Sequence, residues 1–265
     1  MKVWVKYSLW TLLYLFLSAA LVGYFFYAGK LRDEGKKLEV CKNIRVTLLD
    51  SSLNRFVTKT EVIDLIEQFN HSQTIGKSID SLQLHNLEKL LESRSAIEKS
   101  QISVNREGIM NIDILQRVPV IRIETLNGGF YIDRTGYIFP LIENSSTYIP
   151  IVTGELPINI TQERKLIGKD SVMWVKKLID LGSFLMDNPF WNAQIEQIYF
   201  ASPNVVEMYA RVGEEKIIFG DLNYIEKKFK KLYAYYTNAT PTLGWDKYSS
   251  INLSFKNQVV CKKKK

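Results

Sequence analysis

The chain has few of the residue types from which most catalytic and metal sites are built. Its 265 residues include two histidines, His71 and His85, and two cysteines, Cys41 and Cys261. The histidines stand among polar residues, as surface histidines do, and no metal-ligand spacing is present. A phosphate-binding glycine loop, a G-x-S-x-G elbow and an H-E-x-x-H motif are also missing from the sequence. These absences argue against an enzyme, a metal site, a cofactor and a small-molecule substrate.

Two cysteines do not make a disulfide framework. A single pair can form a bridge in an oxidising compartment. However, Cys41 lies beside a polar linker segment and Cys261 beside a lysine tail, and these positions favour free thiols.

Positive charge is scarce on the body of the chain, although the formal net charge is +7. Lys2 and Lys6 supply two of these charges and Lys262–Lys265 supply four, so residues 29–261 carry only +1. A nucleic-acid-binding domain carries a basic face on its folded body. We therefore expect no nucleic-acid partner.

One long apolar run lies near the N-terminus. Ser8–Ala28 contains 21 residues and no charged side chain, and about 20 helical residues span a bilayer core. Aromatic residues crowd both of its ends, as at two membrane interfaces. We predict a transmembrane helix from Ser8 to Ala28, after a tail of residues 1–7 and before a juxtamembrane linker or helix extension of residues 29–42.

The apolar run fits a retained anchor better than a cleaved signal peptide. A signal peptide has an apolar region of about 7–15 residues and a small-residue cleavage site. Here the only small-x-small candidates, such as Ser18 to Ala20, lie inside the run. More lysines and arginines follow the helix than precede it, so the positive-inside rule favours a cytoplasmic C-terminal part.

Two folded parts follow the helix. In the first, Asn43–Leu49 alternates like a strand, and Thr58-Lys59-Thr60-Glu61 has the form of a capping box that opens a helix. A second helix around Leu84–Leu91 and two strands, Ile97–Arg106 and Met110–Gln116, complete the order β-α-α-β-β.

From residue 120 onward the sequence predicts short strands and two helices. The helices span about Asp170–Met186 and Tyr224–Tyr236, and the second carries lysines on its polar side. A three-strand meander lies between them, and Ser250–Val260 reads as one closing strand. We predict an α+β fold with one N-terminal transmembrane helix, a β-α-α-β-β domain over residues 43–123, a β-rich domain with two helices over residues 124–260, and a basic tail over residues 261–265.

Three segments resemble the bacterial cell-division family FtsQ/DivIB. Val104–Val120, VNREGIMNIDILQRVPV, is similar to the family's V-x-R-x-x-P-x-x-L-x-I-x-V-x-E-R-x-P-V run. Tyr131–Pro140, YIDRTGYIFP, resembles the segment that opens the family's β domain. The lysine-bearing helix around Lys227–Tyr233 and the strand Ser250–Val260 resemble the family's last helix and its I-D-L-R-Y strand.

The chain departs from the family pattern at several positions. Ile109 replaces the usual proline, and Asn252 and Ser254 stand where I-D-L-R-Y has Asp and Arg. Leu48-Leu49-Asp50 replaces a V-x-G strand end. The order and spacing of the three segments nevertheless resemble those of the family over its whole architecture.

The resemblance implies a non-enzymatic divisome assembly protein that links early and late division proteins at the septum. It implies a POTRA domain over residues 43–123 and an FtsQ-type β domain over residues 124–260. It also implies a single-pass type II protein of the bacterial inner membrane, with residues 1–7 in the cytoplasm and the C-terminal domains in the periplasm. The expected partners are small coiled-coil proteins of the FtsB and FtsL type, bound by strand addition at the last β-strand.

For this chain we expect the partner to contact the last strand at Ile251, Leu253, Ser254, Phe255 and Lys256. The aromatic position of the family motif is held by Phe255, for which a core position in the sheet is the alternative. The alternative function is a membrane-anchored POTRA protein for envelope transport or outer-membrane assembly. That class usually has tandem POTRA units or a β-barrel, and the sequence predicts one unit and no barrel.

Overall fold

The computed structural model describes most of the chain. The described residues are 2–36, 40–49, 55–126, 128–142, 145, 147–158, 169–245 and 247–264. They divide into two compact units, the first built mainly from residues before 115 and the second mainly from residue 115 onward.

The chain begins with one long helix, α1 (Lys2–Lys36). Its segment Leu13–Lys30 is long and apolar enough to cross a membrane, and none of that segment is buried. The prediction of an N-terminal apolar helix is therefore confirmed. The helix continues to Lys36, so the segment after the apolar run begins as a helix extension.

The first unit has the predicted order β-α-α-β-β. Its elements are β1 (Asn43–Leu48), α2 (Lys59–Asn70), α3 (Leu84–Glu92), β2 (Ile97–Val104) and β3 (Ile109–Gln116). The three strands form a sheet in the order β1-β3-β2, with β1 parallel to β3. Buried aliphatic side chains of both helices and the sheet form the core, among them Val62, Ile66, Leu87, Leu91, Met110 and Ile112.

Local sequence signals explain where these elements begin and end. Thr58 Oγ1 accepts a hydrogen bond from Glu61 N at 3.2 Å, and Glu61 Oε2 accepts one from Thr58 N at 2.7 Å. This is the predicted capping box, and it satisfies amide groups that the first turn of α2 leaves unpaired. Helix α2 ends at Asn70, and the C-cap residue that follows it, His71, is exposed and has a φ of 52°.

The second unit is built on one large sheet. Its strands are β4 (Pro119–Thr125), β5 (Gly128–Asp133), β6 (Ile138–Pro140), β7 (Ile151–Gly154), β8 (Ile195–Ser202), β9 (Val205–Ala210), β10 (Lys216–Gly220), β11 (Tyr248–Asn252) and β12 (Val260–Lys263). Its helices are α4 (Lys169–Asp187), α5 (Pro189–Gln194), α6 (Ile225–Asn238) and α7 (Thr240–Leu243). The strand order is β12-β11-β10-β9-β8-β7-β4-β5-β6.

The core of this unit contains apolar residues of the sheet together with those of α4, α5 and α6. Leu178 and Leu181 of α4 and Phe229 of α6 are almost wholly buried in it. A Cβ atom at Gly182 would lie 2.7 Å from the carbonyl oxygen of Val120, so glycine allows α4 to approach β4 closely. The predicted mixed α+β architecture with a β-rich second part is thus confirmed.

The boundary predicted between residues 123 and 124 would divide β4. All of β4 pairs within the nine-stranded sheet, whereas β3 ends at Gln116, so the change between the two sheets falls between Gln116 and Pro119. The sequence hides this change because alternating apolar residues continue directly from β3 into β4, and no glycine or asparagine turn separates them.

The prediction of one closing strand over Ser250–Val260 is wrong. Within it, β11 ends at Asn252 and β12 begins at Val260, and these two strands pair antiparallel with Ile251 opposite Cys261. Strand β11 ends because Asn252 Oδ1 accepts hydrogen bonds from the N and Oγ atoms of Ser254, at 2.9 and 2.6 Å. Most of the predicted tail over residues 261–265 therefore lies in β12, which extends to Lys263.

Candidate partner-binding edge

The nine-stranded sheet has two ends of different character. At one end lies β12, and none of the described strands pairs with its outer side. At the other end lies β6, which has three residues and closes with Pro140. Proline has no amide hydrogen to donate to a neighbouring strand. Strand β12 is therefore the end of the sheet that is better suited to accept a further strand.

Strand β12 is fixed through its neighbours. Helix α6 connects β10 to β11, which run parallel, and β11 then pairs with β12. Ile251 in β11 is fully buried, and its register partner Cys261 is half-buried against the same core. Burial raises the pKa of the Cys261 thiol, and the Glu215 carboxylate raises it further. The thiol is therefore protonated at neutral pH and packs as a small apolar group.

The connection between β11 and β12, residues 253–259, is held from helix α6. Lys231 Nζ donates hydrogen bonds to the carbonyl oxygens of Leu253, at 2.6 Å, and Phe255, at 2.5 Å. Burial lowers the pKa of the Lys231 ammonium group, and the nearby charge of Lys228 lowers it further. Leu253 is also tied to β10, because its amide donates to the carbonyl oxygen of Ile218 at 2.9 Å.

A second lysine of α6 also points inward. Lys228 is buried, and its Nζ atom donates to the carbonyl and carboxylate oxygens of Asp221, both at 2.6 Å. Burial works to raise the pKa of Asp221, but hydrogen bonds from Lys228 and Asn223 outweigh it and leave that pKa below its usual value. The sequence predicts only that the lysines of this helix lie on its polar side, so the anchoring roles of Lys228 and Lys231 were missed.

The five predicted contact residues fall into two groups. Ile251 and Leu253 are fully buried and belong to the core. Ser254, Phe255 and Lys256 are exposed and lie together on the connection that leads to β12. The side chain of Phe255 is 44% exposed, which excludes the alternative that it fills the core of the sheet.

Exposed lysines lie on this edge strand and on the segments directly before and after it. Lys262 and Lys263 lie in β12 and are exposed, as are Lys256 on the connection and Lys264 after the strand. Lys264 forms an ion pair with Glu214 at 2.8 Å, and this hydrogen bond lowers the pKa of the Glu214 carboxylate. Lysines on an edge strand hinder pairing between identical edges. They also attract a segment of opposite charge.

No group of three or more His, Cys, Asp or Glu side chains in the described part of the chain could hold a metal ion. Asp133, the carboxylate of the segment YIDRTGYIF, accepts hydrogen bonds from the amides of Thr135 and Tyr137 and pairs with Arg117 at 2.9 Å. Its role is therefore to hold a turn.

Comparison with protein-family models gives two matches. Residues 118–262, more than half of the chain, match the model described as FtsQ/DivIB, C-terminal related. Residues 39–115 match the model of a POTRA-like domain. No curated protein that was compared with the chain matches it significantly. The two models together account for almost all residues from 39 to 262.

Proposed function

Since the chain belongs to the FtsQ/DivIB family, whose members are non-enzymatic scaffolds of bacterial cell division, we propose that it binds small coiled-coil division proteins of the FtsB and FtsL type by strand addition at β12. The observation that carries the proposal is the outer edge of β12, with which no described strand pairs. Backbone hydrogen bonds to an added strand would each contribute about 0.5–1.5 kcal/mol.

The contacts that select the partner would come from the connection beside the edge. Phe255 offers an exposed aromatic side chain, and Ser254 and Lys256 flank it with polar groups. Aromatic residues are common anchors of protein interfaces because they bury a large area with few rotatable bonds. Ile251 and Leu253 are buried, so they would hold this surface in place by packing in the core and would not contact the partner.

The charge of the edge favours an acidic partner segment. Three lysines at this edge are exposed: Lys262 and Lys263 in β12, and Lys256 on the connection that leads to it. An approaching strand with glutamate or aspartate side chains would be attracted, whereas a basic strand would be repelled. The attraction between exposed charges is weakened by salt, because the screening length is about 8 Å at physiological ionic strength.

We infer further that α1 anchors the protein in the bacterial inner membrane at the division septum, with residues 1–7 in the cytoplasm and the two folded domains that follow the helix in the periplasm. The family supports the septal location and the apolar segment Leu13–Lys30 supports the anchor. The charges that flank the helix favour the opposite orientation. A reporter that is active only in the periplasm, fused after Lys265, tests this inference, and an inactive reporter on a stable fusion contradicts it.

The binding proposal is tested by co-purification of the full chain with an FtsB-type protein. Phe255→Asp should abolish co-purification while the thermal unfolding of the chain stays unchanged. Phe190→Asp is a matched control, because Phe190 is a similarly exposed aromatic residue (50%) on α5. Equal recovery of the partner with wild-type protein and with Phe255→Asp would overturn the assignment of this site.

A further inference from the structure

The three-stranded sheet of the first unit also has an edge that could accept a strand. The order β1-β3-β2 leaves β2 with one side unpaired by any described strand. Amides that point outward from such an edge remain free to bind an extended peptide or a second copy of the chain. In β2, however, two of these amides are already occupied.

The occupants are carboxylates of helix α3. Glu88 Oε1 accepts a hydrogen bond from the amide of Ile102 at 2.8 Å, and Glu92 Oε1 accepts one from the amide of Ser100 at 3.1 Å. A hydrogen bond to an ionised acceptor is stronger than one between neutral groups. Both contacts are partly buried, which protects them from competition by water.

The spacing of the two carboxylates matches the spacing of the two amides. Four residues of a helix rise about 6 Å, and two residues of a strand rise about 6.7 Å. Glu88 and Glu92 are four residues apart on α3, and Ser100 and Ile102 are two residues apart on β2. Amides at alternate positions of a strand point to the same side, so both of these face α3.

Helix α3 is held in position for this contact. Leu87 and Leu91 of the same helix are fully buried. Ser100 Oγ donates a hydrogen bond to the carbonyl oxygen of Glu88 at 3.1 Å, which ties the helix backbone to the same strand. The side chain of Glu88 is 26% exposed, and its other oxygen lies 3.6 Å from His85 Nδ1.

We propose that Glu88 and Glu92 form a carboxylate clamp that closes the outer edge of β2 against strand addition. An incoming strand needs the amides of Ser100 and Ile102 as donors, and it would have to displace both carboxylates to reach them. The clamp prevents two copies of the chain from joining through this edge. This proposal does not depend on the partner or on the site at β12.

The test uses the full chain in lipid nanodiscs and in detergent. In Glu88→Ala/Glu92→Ala the amides of Ser100 and Ile102 should exchange hydrogen about 10-fold faster, because each loses a charge-assisted hydrogen bond. The variant should also form dimers or larger species whose share grows with concentration in detergent. Asp64→Ala/Glu98→Ala is the control, since it removes two exposed carboxylates, one of them on β2, and should behave like the wild type.

Two results would overturn the proposal. One is wild-type exchange at Ser100 and Ile102 in the alanine variant, since the carboxylates would then not hold these amides. The other is faster exchange without any self-association, since the edge would then be open and yet accept no strand.

If the alanine variant does not fold, Glu88→Gln/Glu92→Gln keeps an acceptor oxygen at each position. It should accelerate exchange at the same two amides, and unchanged exchange would contradict the clamp.

Discussion

The Nζ atom of Lys231 lies 2.5 Å from the carbonyl oxygen of Phe255. This contact joins helix α6 to the connection between the last two strands, and the same ammonium group also holds Leu253. A backbone that is held in this way presents the Phe255 side chain in one position, which reduces the entropy that binding must remove. Lys231 is therefore a positioning residue of the proposed partner site.

Lys231→Met is expected to weaken binding of an FtsB-type partner by about 10-fold, because about 1.4 kcal/mol is lost when the connection becomes mobile. Titration of the detergent-solubilised chain with the partner measures this change. Hydrogen exchange should accelerate in residues 253–259. Lys230→Met is the matched control, since Lys230 is exposed on the same helix. Equal affinities of the two variants would contradict the role of Lys231.

The pair Asp221–Lys228 predicts a stability that depends on pH. The pKa of Asp221 is depressed in the folded chain, so the pair contributes stability above the unfolded pKa of about 4, and this contribution is lost as the pH falls through the folded pKa. Asp221→Asn should lower the free energy of unfolding by about 1–2 kcal/mol at pH 7, a value discounted because half of the Asp221 side chain is exposed.

Denaturant unfolding of wild type and Asp221→Asn between pH 3 and pH 7 measures this difference. The two stabilities should converge as the pH falls, because protonation of Asp221 removes the charge that the variant lacks. A constant difference across the range would show that the carboxylate charge does not stabilise the fold.

Both thiols are expected to react slowly with iodoacetamide at neutral pH. Burial raises the pKa of Cys41 and of Cys261, so little thiolate is present until the pH exceeds the ordinary thiol range. Cys41 is fully buried and should react more slowly than the half-buried Cys261. Mass spectrometry of the alkylated peptides over a pH series measures both rates. Rapid alkylation of Cys261 at pH 7 would contradict its packing against the core.

The lysines of β12 are expected to speed association with an acidic partner. Lys262→Glu/Lys263→Glu should reduce the association rate constant by about 10-fold at low salt and by less at high salt. Lys176→Glu/Lys227→Glu makes the same change of charge at exposed positions on α4 and α6 and is the control. Stopped-flow association at several salt concentrations measures the effect. Equal association rates for the two double variants would show that the lysines of β12 do not speed association.

The first unit could be predicted from sequence because its signals are local. The capping box from Thr58 to Glu61 lies within one turn of helix, and the strand alternation of β2 and β3 is regular. The carboxylate clamp could not be predicted from local signals of this kind. Glu88 and Glu92 are polar residues on an amphipathic helix, where solvent exposure is the ordinary expectation, and only the fold brings them to the amides of β2.

At the proposed partner site, prediction from the sequence was wrong about where the strands end. Ile251 and Leu253 alternate as in one continuous strand, and the turn that ends β11 depends on side-chain hydrogen bonds within Asn252–Ser254. Residues of this kind can hold a turn or continue a strand, and tertiary pairing decides between them. Lys231 was missed for a similar reason, since its carbonyl acceptors lie more than 20 residues away in the chain.

The most direct measurement of strand addition is backbone hydrogen exchange of the full chain with and without an FtsB-type partner. Binding should slow exchange in Val260–Lys263, because an added strand would accept hydrogen bonds from the outward amides of β12. Exchange in β6 and in β2 should stay unchanged. Protection that falls on either of those strands, with none in Val260–Lys263, would contradict the account.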